Sequence, residues 1–362
     1  MKALLHTFRE NPVRTLLLLV PIALLGELLH WPPMVIFAVS SLAIIPLAGL
    51  IGESTESLAH YTGPRLGGLL NATLGNAAEL IITIVAIREG LLDLVKASIT
   101  GSILGNLLLV LGMSMLLGGL KHGTQKFDRR QAGNNSILLV LTVLILLIPS
   151  LLSHNIGHVE PPDPRVEALS LGVAAVMIIL YALGLFYSFK ADGGPLTPEA
   201  PPEALVHKAW PLRTAILLLG LSTVGVALLS EVLVGAVEPV VEALGISEFF
   251  IGVIFIPIIG NVAEHLVAVQ VALKNKMTLS VEIAVASSLQ IALFVAPALV
   301  FISLLLGHPL TLVFDPIELV VLIAGVLIAA LVSEDGESNW LEGSELLAIY
   351  IVIGLAFLLL PK

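Results

Sequence analysis

Gly75-Asn76-Ala77-Ala78-Glu79 and Gly260-Asn261-Val262-Ala263-Glu264 are one polar phrase written twice in an otherwise apolar chain. The copies lie 185 residues apart, and at that offset the match runs without a gap from Gly67/Gly252 to Gly112/Pro297. Ten of those 46 pairs are identical; the informative ones are Gly67/Gly252, Gly75/Gly260, Asn76/Asn261, Glu79/Glu264 and Ser102/Ser287. Fifty-seven per cent of the 362 residues are hydrophobic and 12% are charged, about half the charge density of a soluble domain. So few charges cannot coat a soluble globule. The chain reads as a polytopic membrane protein, which excludes soluble enzymes and nucleic-acid binders. The net charge of −10, with no Lys/Arg run, gives no reason to expect an anionic partner. The absence of cysteine excludes disulfides, thiolate metal sites and cysteine nucleophiles.

Working outward from the repeated phrase, eleven apolar stretches are bounded by charges, Pro and Gly. They cover 13–30, 34–61, 65–88, 97–120, 136–153, 166–189, 212–237, 248–273, 279–306, 311–333 and 344–360. A bilayer needs about 20 apolar residues per helix. A barrel would show alternating strands of about ten residues, and these runs are continuous. The first run follows basic residues, but no small-residue cleavage site comes after it, so it reads as a retained helix. With the N-terminus inside, thirteen of the 17 Lys/Arg fall in inner segments, and only Arg88, Lys96, Arg165 and Lys362 fall outside. That bias predicts N-in, C-out topology.

The two phrases then sit in the third and eighth helices and run antiparallel. The expected fold is all-α: two inverted-topology five-helix repeats plus an extra N-terminal helix, the layout of secondary transporters. The expected divisions are 1–33 (extra helix), 34–190 (first repeat), 191–211 (a hydrophilic, proline-rich cytoplasmic linker) and 212–362 (second repeat).

A carboxylate near the middle of a membrane helix costs a few kcal/mol on insertion scales. Glu79 and Glu264 occupy that position in both halves, which points to facing carboxylates that bind a hard cation through oxygen. Asn76 and Asn261 precede them by three and share their helix faces. Gly75, and Pro257 with Gly260, mark expected helix breaks whose freed carbonyls add cation ligands. Ser102 and Asn106 on the fourth helix, with Ser287, Ser288 and Gln290 on the ninth, form a second polar set. Glu53, Glu56 and His60 form a stripe at one end of the second helix, and Glu231, Glu238 and Glu242 lie toward the far end of the seventh. Most such charges are solvated helix ends; Glu56 and Glu238, placed symmetrically, are candidate access or gate residues. His265, beside Glu264, is a candidate second kind of proton carrier. The acidic run Glu334, Asp335, Glu337, Glu342, Glu345 reads as a solvated inner loop. No zinc-protease, Walker A, dinucleotide-binding or potassium-filter motif falls on a suitable element.

These motifs resemble the cation/proton exchanger (CAX) family of the cation/Ca²⁺ exchanger superfamily. The resemblance rests on Gly67 to Ile81, Ser102-Ile103-Leu104-Gly105-Asn106, Pro257 to His265 and Ser287-Ser288-Leu289-Gln290. It implies an eleven-helix antiporter that expels Ca²⁺ in exchange for H⁺, with export of other divalent cations left open. The family's paired glutamates fall on Glu79 and Glu264, and its supporting ligands on Ser102, Ser287 and Gln290. Ca²⁺ is then cargo; no cofactor and no nucleic-acid partner are expected. The partners are Ca²⁺, H⁺ and the bilayer, with a homo-oligomer left open. The plant members' N-terminal regulatory extension and acidic linker helix are absent, which implies a prokaryotic source and an inner (plasma) membrane location. A sodium-coupled exchanger of the same superfamily is the alternative, disfavoured because hydrophobic Ile291 stands where an extra carboxylate would help. A channel is a weaker alternative, since the acids occur once per half. A membrane enzyme is weaker still, for want of a nucleophile–base pair.

This topology is testable on a naturally cysteine-free chain. Single cysteines at positions 126 and 274 are expected to react only from the inside, and one at 165 only from the outside. Outside labelling at 126 would overturn the span count.

Overall fold

A computed structural model describes residues 12–156, 163–190 and 209–359. Much of the expected linker, 191–208, and both chain ends, with several counted charges, lie outside the described residues.

The chain is almost entirely helical. A 3₁₀ turn, Pro12–Leu18, leads into α1 (Leu19–Leu28), followed by α2 (Pro33–Leu74), α3 (Ala77–Arg88) and α4 (Leu92–Leu104). A π-turn, Gly105–Val110, joins α4 to α5 (Leu111–His122), and α6 (Arg129–Ile156) and α7 (Pro164–Lys190) complete the first half. In the second half come α8 (Leu212–Gly235), α9 (Val237–Leu244) and a single turn, Glu248–Phe250, that enters a π-turn at Ile251–Phe255. Then follow α10 (Ile256–Leu273), α11 (Met277–Gln290), a third π-turn at Ile291–Val295, α12 (Ala296–Leu306), α13 (Pro316–Val332) and α14 (Trp340–Leu358).

Eight helical segments among the described residues are long and apolar enough to cross a bilayer, and Pro316–Val332 is a shorter apolar helix. The expected stretches 13–30 and 65–88 are helical too, but are broken into pieces. Two expectations about breaks need correction. The second and third stretches join in one helix, α2, with no interruption at 62–64, and the interruption falls at the Gly75–Asn76 turn, where Gly75 marked it. In the second half no break occurs at Gly260, because α10 runs straight through it. The irregularity there is the π-turn just ahead of Pro257. Proline has no N–H, and its ring collides with the carbonyl four residues back; widening that turn relieves the collision. The third π-turn likewise ends two residues before Pro297.

The acidic run is also more structured than a solvated loop. Glu337 belongs to β2 (Glu337–Ser338), which pairs antiparallel with β1 (Gln125–Lys126), and it contacts Lys126 at 3.1 Å. Glu342 closes a capping box with Asn339 at the start of α14, a device that satisfies orphan N–H groups at a helix start. Of the helix-end charges, Glu53 pairs with Arg14 at 2.5 Å and Glu231 with Arg88 at 2.9 Å.

Helices approach closely where glycine removes the side chain. α5 and α14 meet at Gly112 and Gly343: a Cβ on Gly343 would lie 2.6 Å from the Gly112 carbonyl oxygen and collide with the Leu116 nitrogen. Gly172 in α7 has nothing within 4 Å of its Cβ position. Gly343→Val is therefore expected to destabilise by about 1–3 kcal/mol through overpacking, read as a lower unfolding temperature in detergent, whereas Gly172→Ala leaves that temperature unchanged or raises it. Equal effects of the two changes would refute the close contact.

Candidate functional site: two carboxylates in one buried polar cluster

The Gly75–Asn76 turn ends α2 and starts α3, which puts Glu79 in the first turn of a helix. The exposed N–H groups and dipole of a helix N-terminus favour a negative charge there. Glu79 is fully buried. Glu264 sits midway along α10, partly buried and without a helix start of its own.

Each carboxylate is held by a serine 23 residues further on. Ser102 Oγ donates to Glu79 Oε1 and Ser287 Oγ to Glu264 Oε2, both at 2.5 Å. Amides then tie the halves together. Asn261 Nδ2 donates to Ser102 Oγ at 3.2 Å and approaches Glu79 Oε2 at 3.4 Å. Asn106 Nδ2 donates to Ser287 Oγ at 3.1 Å, and Asn76 Nδ2 to Gln290 Oε1 at 3.0 Å. The contacts cross over: polar groups of each half support the carboxylate or the serine of the other.

The two motif glycines make the crossing possible. A Cβ on Gly75 would lie 3.0 Å from Glu264 Oε1, and one on Gly260 would lie 3.3 Å from the Glu79 Cβ. Each glycine thus leaves room for the opposite glutamate, and Gly75 does so at the break in its own helix. Asn106 lies within the first π-turn and Gln290 directly precedes the third. Such turns are frequent at functional sites because they re-aim side chains within a helix.

The structure therefore brings together Gly75, Asn76, Glu79, Ser102, Asn106, Gly260, Asn261, Glu264, Ser287 and Gln290. Ser288 instead donates to the Ala284 carbonyl of its own helix. Pro257 acts through the π-turn. His265 adjoins Glu264 in sequence, and its buried Nε2 has no hydrogen-bond partner. Glu56 lies in α2, nineteen residues before Gly75, or about 28 Å along the helix at 1.5 Å per residue. Glu238 is exposed in the first turn of α9. Two further carboxylic acids, Glu282 in α11 and Glu318 in α13, are buried without standing out in the sequence. Both lie near helix starts, where charge reads as solvated, and neither has a glutamate at its repeat-equivalent position, Ala97 or Gly133.

Among the described residues no group of three or more His, Cys, Asp or Glu is placed to hold a metal ion. A cation here would rest on two carboxylates plus neutral oxygens. Asn261 Oδ1 is buried with no hydrogen-bond partner and is one such oxygen. Oxygen donors of mixed charge suit a hard divalent cation.

A helical membrane protein with such a carboxylate pair belongs to the class of secondary cation transporters. The signature of the sodium/calcium exchanger protein family matches residues 32–190 and 214–359, and the chain belongs to that family. It is 48% identical over 364 residues to the Ca(2+)/H(+) antiporter of Aphanothece halophytica, covering 96% of each chain. It is 45% identical over 344 residues to the Ca(2+)/H(+) antiporter ChaA of Bacillus subtilis (strain 168), covering 94% of this chain and 97% of that one. Among solved structures it is similar to native YfkE, with a TM-score of 0.82 and 43% identity over 94% of this chain and 97% of that one.

Removing one serine hydroxyl leaves a buried carboxylate short of a donor. Hydrogen bonds to charged groups contribute about 1.5–3 kcal/mol, so Ser102→Ala and Ser287→Ala are each expected to change divalent-cation affinity by about ten- to a hundredfold. Isothermal titration of the purified protein checks this. Unchanged affinity in both variants would remove the serines from the site.

Proposed function

We propose that this protein is a secondary antiporter that exports Ca²⁺ in exchange for H⁺, with Glu79 and Glu264 as the shared binding groups. The observation that carries the reading is the cross-tied carboxylate pair: two acids from helices 185 residues apart, each held by its own serine and braced by amides from the other half. Relatives at 44–48% identity over nearly their whole length bear the name Ca(2+)/H(+) antiporter and support it.

The chemistry follows from charge. Two carboxylates removed from water are costly while ionised and unpaired. One Ca²⁺ or two protons neutralise them, and a bound cation drives protons off the same oxygens. Cation and protons therefore compete, and the site crosses the membrane only when neutralised. Ser102, Ser287, Asn76, Asn261, Asn106 and Gln290 orient the carboxylates and supply neutral oxygens; Gly75 and Gly260 keep the two halves close. Glu56 and Glu238 serve as access or gate groups. If His265 also takes a proton in the Ca²⁺-free state, three H⁺ move per Ca²⁺ and the cycle carries charge.

The same reading assigns eleven spans in two inverted five-helix repeats, 34–190 and 212–362, after an extra helix within 1–33 and around a linker at 191–211. The N-terminus is cytoplasmic, the C-terminus lies outside, and the protein resides in a prokaryotic plasma membrane. Loop contacts support this layout. Segments expected inside meet one another: Gln125 with Asn275, Lys126 with Glu337, and Tyr61 with Trp210. Segments expected outside also meet: Arg88 with Glu231, and Ser150 with Leu312.

Ca²⁺ flux in proteoliposomes with a pH dye and clamped voltage tests the proposal. Glu79→Gln and Glu264→Gln are each expected to reduce flux to background while the protein still inserts. Robust proton-coupled flux in Glu79→Gln would end the site assignment, and a Na⁺ requirement without pH dependence would replace H⁺ by Na⁺. Reversal that ignores voltage would reject the three-proton cycle; voltage dependence that survives His265→Ala would move the third proton to another group.

A further inference from the structure

Glu318 is a buried acid that this cycle does not use. It is the third residue of α13 and only 2% exposed in an otherwise apolar helix. Its Oε2 accepts the Asp315 N–H at 3.0 Å, which closes the α13 capping box, while Oε1 is buried with no hydrogen-bond partner. It forms no ion pair among the described residues. A carboxylate ion left in that setting keeps one oxygen unsolvated and unpaired, an expensive arrangement. Capping accounts for one oxygen only.

The packing of α13 shows what faces the other. A Cβ on Gly325 would come 2.5 Å from Leu104 Cδ2 in α4. Glu318 lies seven residues before Gly325, and Lys96 eight residues before Leu104. If the helices run side by side in the same direction, Glu318 stands level with Lys96. Its electrostatic neighbours agree: Lys96 and Asp93 from α4, and Asp315 from its own cap. Among the described residues, no charged group of α6, the first π-turn or α14 is one of them. Lys96, Thr100 and Leu104 follow one another at i+4 and form the α4 stripe toward α13. Thr100 is itself fully buried, and its hydroxyl has no hydrogen-bond partner. Lys96, 14% exposed, donates to Asp93 Oδ1 at 3.0 Å, and Asp93 is 68% exposed. The seam thus grades from a wet carboxylate, through a half-sheltered ammonium, to a dry carboxyl.

We propose that Glu318 is a third proton-binding carboxyl, separate from the cation site, that exchanges its proton with solvent where Asp93 and Lys96 open the α4–α13 seam. In the proton-loaded form Glu318 is neutral and Lys96 stays with Asp93. On release the carboxyl O–H bond breaks and the proton passes to water. Lys96 keeps all three of its protons and turns from Asp93 to the new carboxylate, which pairs the buried charge. The ligand is H⁺.

Infrared difference spectroscopy between acidic and alkaline buffer, on the full chain in liposomes, tests this apart from the antiport reading. The background is Glu79→Gln/Glu264→Gln, which silences the cation site. This background is expected to keep a titrating protonated-carboxyl band, part of which disappears on adding Glu318→Gln. On the same background Lys96→Met removes the nearest cation, and the band is expected to persist into more alkaline buffer. A difference spectrum unaltered by Glu318→Gln overturns the proposal. Should that variant fail to insert, a band that Lys96→Met does not move overturns it equally.

Discussion

Two carboxylates brought into one polar cluster repel each other while ionised, and Glu79 is cut off from water altogether; the site is organised around that constraint. Glu79 is offered a helix N-terminus, a serine hydroxyl at 2.5 Å and an asparagine amide. Glu264 is offered a serine at the same distance and remains partly accessible. Donors reduce the cost of burying charge but do not cancel it. In the proposed cycle a divalent cation or protons neutralise the remaining imbalance.

The two halves answer it alike in sequence and differently in backbone. The Gly75–Asn76 turn breaks the first motif helix, whereas the second passes through Gly260 unbroken and takes its irregularity as a π-turn ahead of Pro257. Proline explains the difference, for it demands relief one turn upstream of itself, and the first half has Thr73 at the position 184 residues before it and Ala72 at 185. As a result Glu79 begins a helix and Glu264 lies within one. Equivalent residues therefore meet unequal backbone surroundings.

Away from the site, the helix ends are tied by few but specific contacts. Lys121, His122 and Gln125 bond carbonyl oxygens at the C-terminus of α10, the helix that carries Glu264. Arg88, at the C-terminus of α3 beyond Glu79, meets Glu231 of α8. Cationic and amide donors at a helix C-terminus satisfy carbonyls that have no partner within the helix. Both motif helices are thus anchored nine residues beyond their glutamates, one by side chains to backbone and the other by an exposed ion pair.

The helical membrane character, the two glutamates and their asparagine and serine companions were legible in the sequence, because burying charge in an apolar run is costly and a costly residue repeated at a fixed offset stands out. Tertiary structure alone decided how they meet. No one-dimensional pattern shows that Gly75 clears space for Glu264 and Gly260 for Glu79, since that contact exists only when helices 185 residues apart are packed together. The form of each irregularity was hidden for a related reason: Gly and Pro announce irregularity, but whether it becomes a turn or a widened helical turn depends on which neighbouring groups satisfy the freed backbone. Glu318 escaped notice because charge near a helix start reads as wet, and only the packing of α13 against its neighbouring helices makes it dry. Sequence thus fixed which groups bear a cost, and the fold decided which of them share it, because hydrogen bonds and repulsion act across distances of a few ångströms that chain position does not measure.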